Sequence, residues 1–510
     1  MSKNYYITTP IYYPSAKPHM GHAYSSIVAD FFARFKKIDD FNVYFLTGTD
    51  EHGLKIQRAA ENTNKKPLEF CDEISKTFKD LSKILNLSNN DFIRTTEKRH
   101  YKSVQNLWNV LEKKGEIYLS KYSGWYSVSD EAFYLEDEIE EIDGIKLAKS
   151  SGSSVEWLEE ESYFFKLSKW QDKLLELYQT NENFILPKSR KNEVVSFVKS
   201  GLKDLSISRK SFSWGIPVPT NKDHVIYVWL DALTNYISAL NYPNTDDKLY
   251  KNFWPADVHM IGKDILRFHA VYWPAFLLAA GLPTPKRVYG HGWILSGDEK
   301  MSKSKGNILD PIEIINDYGL DPLRYYLLKE VSFGNDGSIS KDKLISCINS
   351  DLANNFGNLC QRIIAFTEKN LSLKVPNPDN FKNEDLNILN NYSNNYKKII
   401  EYIDNQNINF YMNFIVDQMF LANKYFNDQE PWKKKDDQKR LNTIIYTSLE
   451  LLRKISLLLY PVIPNSSLKV LSIFNIKEEN LSVETITNNN FLKPDLELKK
   501  IGILFNKINQ

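Results

Sequence analysis

Hydrophobic and polar positions alternate with two different periods in the first part of this 510-residue chain. Apolar runs typical of buried strands occupy residues 5–13 and 42–46. Between and after them, apolar residues recur every three or four positions over residues 23–37, 68–85 and 100–114, as in amphipathic helices. Alternation of strands with helices of this length predicts a parallel sheet with crossover helices.

The pattern changes near residue 118 and then returns. Residues 118–222 are rich in Tyr, Ser and Glu with only short strand signals, which predicts an inserted lobe. Strand signals at 224–229, 258–261 and near 287–289, with a helix over 265–280, then predict the second half of the sheet. The predicted domain therefore comprises 1–117 and 223–294, with its ligand crevice beyond the carboxyl ends of the strands.

The rest of the chain is predominantly helical in pattern. Residues 295–348 contain a loop rich in Ser, Lys and Gly, followed by a helix pattern over 311–328. From 349 to 510 the chain is almost wholly amphipathic helix, for example over 352–369, 396–426 and 441–459, which predicts a helical bundle. The predicted fold class is α/β: a Rossmann-type parallel-sheet domain with an inserted connective lobe, followed by an α-helical bundle.

Composition narrows the class of protein. At 42% hydrophobic and 25% charged residues, the chain is typical of globular proteins, and its length suggests three or four domains. Lys and Arg (65) balance Asp and Glu (64), so binding to nucleic acid would depend on local basic patches rather than on the net charge of +1.

Cysteine usage and targeting signals favour a reducing compartment. Cys71, Cys347 and Cys360 are too far apart for a metal-ligand motif, and they form no disulfide framework. The sequence shows no signal peptide or transit helix at its start and no long apolar segment, so we expect no membrane association and a cytoplasmic location.

The first candidate site lies in residues 10–22, Pro-Ile-Tyr-Tyr-Pro-Ser-Ala-Lys-Pro-His-Met-Gly-His. His19 and His22 flank Gly21 where a helix is predicted to begin. Backbone N–H groups at a helix start favour an anion, a glycine lets a flat base approach the backbone, and imidazoles can donate to phosphate oxygens. A triphosphate is therefore the expected ligand.

The second candidate site is the string Lys300-Met-Ser-Lys-Ser304, where Lys300 and Lys303 supply positive charge on a loop. Such charges suit the stabilisation of a phosphoryl transition state. Taken alone, either motif is better explained by helix-capping histidines or by solvated surface lysines. Together they indicate attack on a nucleotide phosphate.

These two motifs occur with three further strings, Phe-Leu-Thr-Gly-Thr-Asp-Glu-His-Gly at 45–53, Tyr-Val-Trp-Leu-Asp-Ala at 227–232 and Gly-Lys-Asp-Ile at 262–265. In this order they resemble the class I aminoacyl-tRNA synthetases, and within that class the methionyl-tRNA synthetases, over most of residues 4 to about 470. The resemblance implies that methionine attacks the α-phosphate of Mg-ATP and that a tRNA ribose hydroxyl then attacks the adenylate. No side-chain nucleophile is required.

The resemblance also implies site residues. For ATP they are His19, Gly21, His22, Asp264, Lys300 and Lys303, of which His19, His22, Lys300 and Lys303 are catalytic. For methionine they are Ile11, Tyr13, Asp50, Trp229, Ala232, Leu233, Tyr236, Ile265, His269 and Trp273, where Tyr236 and His269 would contact the sulfur. From the residues alone, Asp50 is equally well explained as the N-cap of a helix starting near Gly53, and the aromatic residues as core.

In the helical part, Asn358, Arg362 and Trp432 match the anticodon-reading positions of the family, with Asn354 and Asn355 on the same expected surface. Asn358 and Arg362 are four residues apart on one helix face, and an indole can stack on an unpaired base. Without the resemblance, the simpler interpretation is a solvated helix surface and a packed tryptophan. The expected partners are methionine and tRNA(Met), both initiator and elongator, bound by a monomer.

One departure from the family concerns metal. Many members carry a Cys-x-x-Cys zinc knuckle in the inserted lobe, and here that place is Ser127-Val-Ser-Asp130. Ser and Asp do not replace thiolates in a tetrahedral zinc site, so we expect no structural zinc. The only metal expected is the Mg²⁺ that accompanies ATP.

Alternatives from other classes fit less of the sequence. Synthetases that edit need a larger inserted domain, and the cysteine enzyme uses a cysteine-based zinc site. A nucleotidylyltransferase would account for the histidine motif but not for residues 300–304 or the helical bundle. A non-catalytic RNA-binding paralogue would not need His19, His22, Lys300 and Lys303, all of which are present.

Overall fold

A computed structural model describes residues 3–128, 130, 132–134, 136–296, 299–300 and 310–508. Its contacts divide the chain into two compact units. The sheet unit contains Asn4–Ala29 and Val43–His291, and the helical unit contains Asp30–Asn42 and the chain from Gly292 onward. The domain bounds given above from the sequence remain predictions at residue level.

The described strands range from two to eleven residues in length. In chain order they are β1 Lys3–Tyr12, β2 Phe41–Thr49, β3 Asp91–Arg94, β4 Ile117–Ser127, β5 Ala132–Tyr134, β6 Ile139–Ile142, β7 Ile145–Ala148, β8 Glu156–Phe165, β9 Ile185–Leu186, β10 Leu205–Ser206, β11 Ser208–Arg209, β12 Pro217–Val218, β13 Asn221–Ile226, β14 Val258–Gly262, β15 Val288–His291, β16 Ile294–Ser296, β17 Glu299–Lys300 and β18 Gly337–Ile339.

The described α-helices are longest near the end of the chain. They are α1 Met20–Ile38, α2 Leu54–Asn62, α3 Pro67–Ile84, α4 Lys98–Lys113, α5 Gln171–Thr180, α6 Lys188–Lys199, α7 Val228–Leu233, α8 Asn235–Ser238, α9 Lys248–Phe253, α10 Trp273–Ala280, α11 Pro311–Tyr318, α12 Leu320–Glu330, α13 Lys341–Cys347, α14 Asn358–Leu371, α15 Asn383–Asp404, α16 Ile408–Gln429, α17 Gln438–Leu459 and α18 Pro464–Ile473. Phe268–Tyr272 and Ile348–Gly357 are π-helical, and Lys263–Ile265 and Pro431–Lys433 are 3₁₀ turns.

The sheet unit is built on a six-stranded sheet of order β3-β2-β1-β14-β15-β9. The pairs β2·β3, β1·β14, β14·β15 and β9·β15 are parallel, as the alternating pattern predicted. The chain leaves β1 toward β2 on one side and leaves β14 toward β15 on the other, so the strand order reverses between β1 and β14. Ligands of such sheets bind beyond the carboxyl ends of the strands at this reversal.

The core of this unit is one large apolar cluster of strand and helix residues. Strand residues such as Tyr6, Leu46 and Ile261 are buried with Trp108 of α4 and Phe276 of α10 in one cluster. Since a parallel sheet is covered by helices on both faces, its strands are nearly continuous apolar runs. This continuity is what made β1 and β14 recognisable from sequence.

The segment predicted as an inserted lobe contains antiparallel strands. β4 pairs with β8 from Ile117·Phe165 to Tyr126·Glu156, in a sheet of order β10-β8-β4-β5. β6 and β7 form a separate hairpin, and β11, β13 and β12 form a three-stranded antiparallel sheet. The strand expected over 224–229 in the parallel sheet is therefore wrong: the segment ends β13 and leads into α7. Alternation of polar and apolar residues in these strands matches their partly exposed faces.

The helical unit differs in detail from the predicted helices. The helix expected over 311–328 is broken at Gly319, whose φ of 92° ends α11 and precedes α12. The helix expected over 396–426 is two helices, α15 and α16, and Gln406 between them has a φ of 52°. Among the described residues, none of the helices combines the length and apolar character needed to cross a membrane.

Candidate active site

His19 lies directly before α1, which follows β1, and Gly21 and His22 lie in the first turn of this helix. The Nδ1 atom of His22 accepts a hydrogen bond from the His19 N–H at 3.1 Å, and Nδ1 of His19 accepts one from the Gly21 N–H at 3.1 Å. Because both Nδ1 atoms are acceptors, the ring proton of each neutral imidazole is on Nε2. The capping role and the phosphate-binding role are therefore compatible, since they use different nitrogens of the same rings.

The two rings lie close together, with centroids 3.8 Å apart. A Cβ atom at Gly21 would be only 2.9 Å from Cε1 of His19, so the glycine leaves room for this ring. His22 is half-buried against the rings of Tyr12 and Phe78, at centroid distances of 4.8 and 5.2 Å. Burial and then the nearby His19 hold the pKa of His22 well below its ordinary value, so the ring is neutral at neutral pH.

The sheet fixes the start of α1 through two hydroxyl groups. Ser25 Oγ lies 2.7 Å from Nε2 of His291, the last residue of β15. Ser26 Oγ lies 2.7 Å from the hydroxyl of Tyr12, the last residue of β1. These contacts hold the positive end of the helix dipole at the carboxyl edge of the sheet, where an anion would bind.

Asp50 lies at the same edge, immediately after β2. Its N–H donates to the Tyr12 carbonyl at 2.9 Å, and the residue is 6% exposed. The N-cap of α2 is Gly53, without a side-chain hydrogen bond, so the helix-capping interpretation of Asp50 is wrong. A buried carboxylate at the ligand edge of the sheet is suited to pair with an ammonium group.

The residues after Asp50 are held by a polar network that the sequence did not reveal. Asp231 is fully buried, its Oδ2 lies 2.6 Å from His52 Nδ1, and its Oδ1 lies 2.7 Å from His100 Nε2. Burial alone would raise the pKa of Asp231, but the His52 charge and the hydrogen bonds from both imidazoles outweigh it and lower the pKa. Asp231 belongs to α7, which also carries Trp229 and Ala232.

Several of the residues predicted to bind methionine come together beside this network. Trp229 stacks on Phe268 with centroids 3.5 Å apart, and Ile11 and Trp229 pack on Ala232 and Tyr227. Three further predicted residues belong to the same segments. The Tyr13 hydroxyl donates to the His52 carbonyl at 3.0 Å. Leu233 is buried in α7, and Ile265 is half-buried in the turn after β14. Phe268 was missed because a single aromatic residue in a helix pattern is usually core.

Tyr236 and His269 are bonded to each other. The Tyr236 hydroxyl lies 2.7 Å from Nε2 of His269, whose Nδ1 lies 3.0 Å from the Ile265 carbonyl. A carbonyl only accepts, so Nδ1 carries the proton and Nε2 accepts from the tyrosine. Burial lowers the pKa of His269 to about 4, which keeps the ring neutral.

Trp273 is more deeply placed than the other aromatic residues of the set. It is fully buried, and its indole N–H donates to Nε2 of His259 at 3.3 Å. His259 in turn lies 2.9 Å from Thr8 Oγ1 and stacks on Tyr236. His259 therefore connects Trp273 and Tyr236 to β1, a support that sequence spacing could not show.

Asp264 lies just beyond the carboxyl end of β14, next to the reversal of strand order. Gly262 pairs in register with His291, and a Cβ atom at Gly262 would be 2.6 Å from Oδ1 of Asp264. The absence of a side chain at Gly262 thus allows the Asp264 carboxylate to lie against the backbone at the carboxyl edge of the sheet.

The second motif is described only in part. The main chain of Lys300 pairs with Leu295 in the β16·β17 hairpin. Lys303 lies outside the described residues, as does the rest of the Lys-Met-Ser-Lys-Ser string. The roles of both lysines remain sequence predictions.

In the helical unit, Arg362 and Trp432 contribute to one surface. Arg362 donates to Asn427 Oδ1 at 2.6 Å and lies over the Phe426 ring, which also meets the indole of Trp432 edge to face. Trp432 is 42% exposed. Asn358 is exposed one turn before Arg362, Asn354 is exposed, and Asn355 accepts from Asn423 at 2.7 Å.

Asp130 lies in the segment 127–130, which the sequence analysis matched to the zinc knuckle of the family, and it accepts several hydrogen bonds. Its carboxylate accepts from the hydroxyls of Tyr134, Ser151 and Ser153 at 2.7, 2.5 and 2.9 Å, and its N–H donates to Ser127 Oγ at 3.3 Å. In the part of the chain that the structure describes, no group of three or more His, Cys, Asp or Glu side chains is arranged to hold a metal. The donor set at Asp130, one carboxylate and hydroxyls, does not fit zinc.

Comparison with protein-family models gives two matches that follow each other along the chain. The model described as tRNA synthetases class I (M) matches residues 5–146 and 145–364. The model described as the anticodon binding domain of methionyl tRNA ligase matches residues 375–510. Together they cover most of the chain.

Individual relatives agree with these models. The methionine-tRNA ligase of Brucella suis is 50% identical over 476 residues, covering 93% of this chain and 92% of that protein. That of Rickettsia prowazekii is 48% identical over 513 residues and covers both chains completely. A Mycobacterium tuberculosis methionyl-tRNA synthetase, solved in complex with methionyl-adenylate, superimposes with a TM-score of 0.96 at 45% identity, covering 99% of each chain.

These comparisons agree with the sequence motifs, with the parallel sheet and with the helical unit, and they extend over the full length of the chain. The chain therefore belongs to the methionyl-tRNA synthetases, the methionine-tRNA ligases of class I.

Proposed function

We propose that this chain joins methionine to AMP and then transfers the methionyl group to tRNA, using the site at the carboxyl edge of the sheet. One observation carries the proposal: the ends of β1, β2 and β14 bring His19 to His22, Asp50 and Asp264 to one edge of one unit. This arrangement supports binding of a triphosphate and an amino acid side by side.

In the first step, a methionine carboxylate oxygen attacks the α-phosphorus of ATP, the bond to the bridging oxygen breaks, and pyrophosphate leaves. The Nε2–H groups of His19 and His22 donate to phosphate oxygens, and the start of α1 favours the negative charge. Because His22 is neutral, it donates without a full positive charge. Lys300 and Lys303 add the charge that the transition state requires, and Mg²⁺ enters bound to the triphosphate.

Asp50 pairs with the methionine ammonium group, and the thioether side chain lies among the stacked Trp229 and Phe268 rings, Ile11 and Ala232. Aromatic and aliphatic surface suits an unbranched, polarizable side chain. Tyr236 and His269 form the polar edge of this pocket.

In the second step, the terminal ribose hydroxyl of tRNA attacks the adenylate carbonyl and AMP leaves. Asn358, Arg362 and Trp432 recognise the anticodon, the indole by stacking and the polar side chains by hydrogen bonds to base edges. We propose that both initiator and elongator tRNA(Met) are charged, by a monomer in the cytoplasm.

The assignment is tested by a double comparison in ATP-pyrophosphate exchange. Asp50→Asn should raise the KM for methionine at least tenfold and leave the KM for ATP nearly unchanged. His22→Gln should raise the KM for ATP, leave the KM for methionine nearly unchanged, and lower kcat. Asp223→Asn, at an exposed position on β13, is the matched control. An equal rise in the KM for methionine and the KM for ATP in Asp50→Asn would contradict the assignment of Asp50 to methionine and of His22 to ATP.

A further inference from the structure

Glu51 is a buried acidic residue next to Asp50 that the proposed function does not use. It is 0% exposed and lies two residues after the end of β2. The Arg94 guanidinium donates to both oxygens of its carboxylate, from Nε at 2.7 Å and from Nη2 at 2.9 Å. The hydroxyls of Thr49 and Thr96 donate to the same two oxygens at 2.7 and 2.6 Å. The carboxylate therefore accepts four hydrogen bonds in the interior of the sheet unit.

The partners of Glu51 come from the ends of β2 and β3. Arg94 ends β3 and pairs in register with Thr49, the last residue of β2. A buried carboxylate is costly unless it is paired and hydrogen-bonded, and a two-point contact with an arginine is a strong pairing of this kind. Arg94 also contacts Asp72 at 2.6 Å, so the guanidinium is held by two carboxylates. Glu51 is thus fixed to the neighbouring strand.

The main chain on either side of Asp50 is held as well. The Asp50 N–H donates to the Tyr12 carbonyl at 2.9 Å, and the N–H of Glu51 donates to Thr95 Oγ1 at 2.8 Å. Because each peptide group is planar, only the φ and ψ rotations of Asp50 could turn one of these groups relative to the other. With both groups hydrogen-bonded, the direction in which the Asp50 side chain leaves the main chain is fixed.

Trp214 contacts the same loop through its indole and its main chain. The indole N–H donates to the Glu51 carbonyl at 2.6 Å, and the Trp214 carbonyl accepts from the Gly53 N–H at 3.1 Å. The ring meets that of His52 edge to face, with centroids 5.6 Å apart. Trp214 lies between β11 and β12, 163 positions from Glu51 along the chain. The loop after β2 is therefore supported from a second, distant segment.

We propose that Glu51 is a positioning residue for the ammonium group of the amino acid, and that it acts through Asp50 with Trp214 as a second support. The inference rests on the proposed pairing of Asp50 with that ammonium group. A charge-assisted hydrogen bond requires a short distance, about 2.7–2.9 Å between nitrogen and oxygen. A carboxylate that is already held in place loses less binding free energy to ordering when the ligand arrives.

A purely structural role for Glu51 makes a different prediction. If Glu51 only joined β2 to β3, its loss would weaken the binding of every ligand of the methionine site. If it positions Asp50, the loss concerns ligands that carry an ammonium group. Glu51→Gln keeps the size of the side chain but replaces one acceptor oxygen with an NH₂ group, which then faces the donors of Arg94 or of the threonines. The variant disturbs the network without opening a cavity.

The experiment compares two competitive inhibitors of methionine-dependent ATP-pyrophosphate exchange by the full chain. L-Methioninol keeps the thioether and the ammonium group, whereas 4-(methylthio)butanoate keeps the thioether and the carboxylate but has no ammonium group. Glu51→Gln should raise the Ki of methioninol about tenfold and leave the Ki of the butanoate unchanged. Trp214→Phe, which keeps an aromatic ring and removes the indole N–H, should raise the Ki of methioninol about threefold.

Glu116 offers a matched control. It is 4% exposed, and its carboxylate accepts from Lys169 Nζ at 2.5 Å and from the Trp170 indole at 3.1 Å. Like Glu51, it is a buried glutamate that pairs with a cation, but it lies directly before β4 and belongs to neither proposed substrate site. Glu116→Gln should leave the Ki values of both inhibitors unchanged.

The outcomes separate this inference from the proposed function. An equal rise of both Ki values in Glu51→Gln would mean a purely structural role, and the inference would be wrong. If Asp50→Asn raises the Ki of methioninol and Glu51→Gln does not, the positioning role fails and the role of Asp50 stands. If neither variant raises it, both roles fail. Should Glu51→Gln not fold, an unchanged Ki of methioninol in Trp214→Phe would overturn the inference.

Discussion

His52 Nδ1 lies 2.6 Å from Asp231 Oδ2, and this contact joins the segment that carries Asp50 to the helix that carries Trp229. The same carboxylate meets His100 of α4 at 2.7 Å through its other oxygen. Two parts of the proposed methionine site are therefore oriented by one buried acidic residue. The residue itself need not contact the substrate.

Replacing Asp231 with Asn should loosen the methionine site selectively. The amide has one acceptor oxygen, so one of the two imidazoles loses its carboxylate partner, and a buried charge network is broken. We expect the KM for methionine to rise about tenfold, a change of about 1.4 kcal/mol, with little change in the KM for ATP. Asp223→Asn, at an exposed position, is the control, and a general loss of folding without a methionine-specific effect would contradict the positioning role.

Gly21→Ala tests the arrangement of the two histidines. The added methyl group would be 2.9 Å from His19 Cε1, so the ring must move and its bond to the Gly21 N–H is strained. We expect a rise in the KM for ATP of about tenfold or more and a lower exchange rate, with methionine binding unchanged. Gly502→Ala is a matched control, because an added Cβ meets nothing within 4 Å there. Equal activity of the two variants would show that the ring position is unimportant.

Asp130→Ala tests what stabilises the lobe in place of zinc. Removing the carboxylate leaves the hydroxyls of Tyr134, Ser151 and Ser153 without their shared acceptor. We expect faster limited proteolysis within residues 118–222, whereas Glu141→Ala, at an exposed position on β6, should not change the pattern. Treatment with EDTA should leave the proteolysis of the unmodified protein unchanged. Protection lost on EDTA treatment and restored by zinc would contradict the account.

Lys454 predicts a pH dependence of stability in the helical unit. It is buried in α17 with its Nζ 2.5 Å from Asn489 Oδ1, and burial, followed by the charge of Arg453, lowers its pKa to about 7. An unfolded chain binds the proton up to a pH of about 10.4. Between these values the unfolded state holds more protons, so this contribution to stability rises with pH by up to about 1.4 kcal/mol per unit.

The variant Lys454→Met should remove that contribution. We expect its free energy of unfolding, measured with denaturant at several pH values from 6 to 10, to exceed that of the unmodified chain at pH 6 and to depend less on pH. Lys469→Met, at an exposed position on α18, should keep the original slope. Parallel curves for Lys454→Met and the unmodified chain would contradict a lowered pKa.

The sequence predicted β1, β2, β14 and β15 of the central sheet, because buried parallel strands follow a local apolar pattern, but it did not predict β3 and β9. The expected parallel strand over 224–229 is wrong, since an apolar run does not reveal which strand it pairs with. β1 and β14 are nearly continuous apolar runs. Asp50 and Asp264 follow the ends of β2 and β14 by one and two residues, and His19 follows the end of β1 by seven. The site edge of a parallel sheet then follows from topology alone.

The sequence did not predict the contacts between distant segments. His52 and Asp231 are 179 positions apart, and Ser25 and His291 are 266 apart, so no spacing rule relates them. The mutual bond between Tyr236 and His269 was missed for the same reason. The break at Gly319 was missed because the apolar period continues through it, and only its positive φ interrupts the helix.

The most direct test of the central claim is ATP-pyrophosphate exchange by the purified protein with each of the twenty amino acids, without tRNA. We predict exchange with methionine alone, because the reaction requires both the proposed ATP site at the start of α1 and the proposed methionine pocket. Exchange with a different amino acid would contradict the pocket, and absence of exchange with methionine would contradict the activation chemistry.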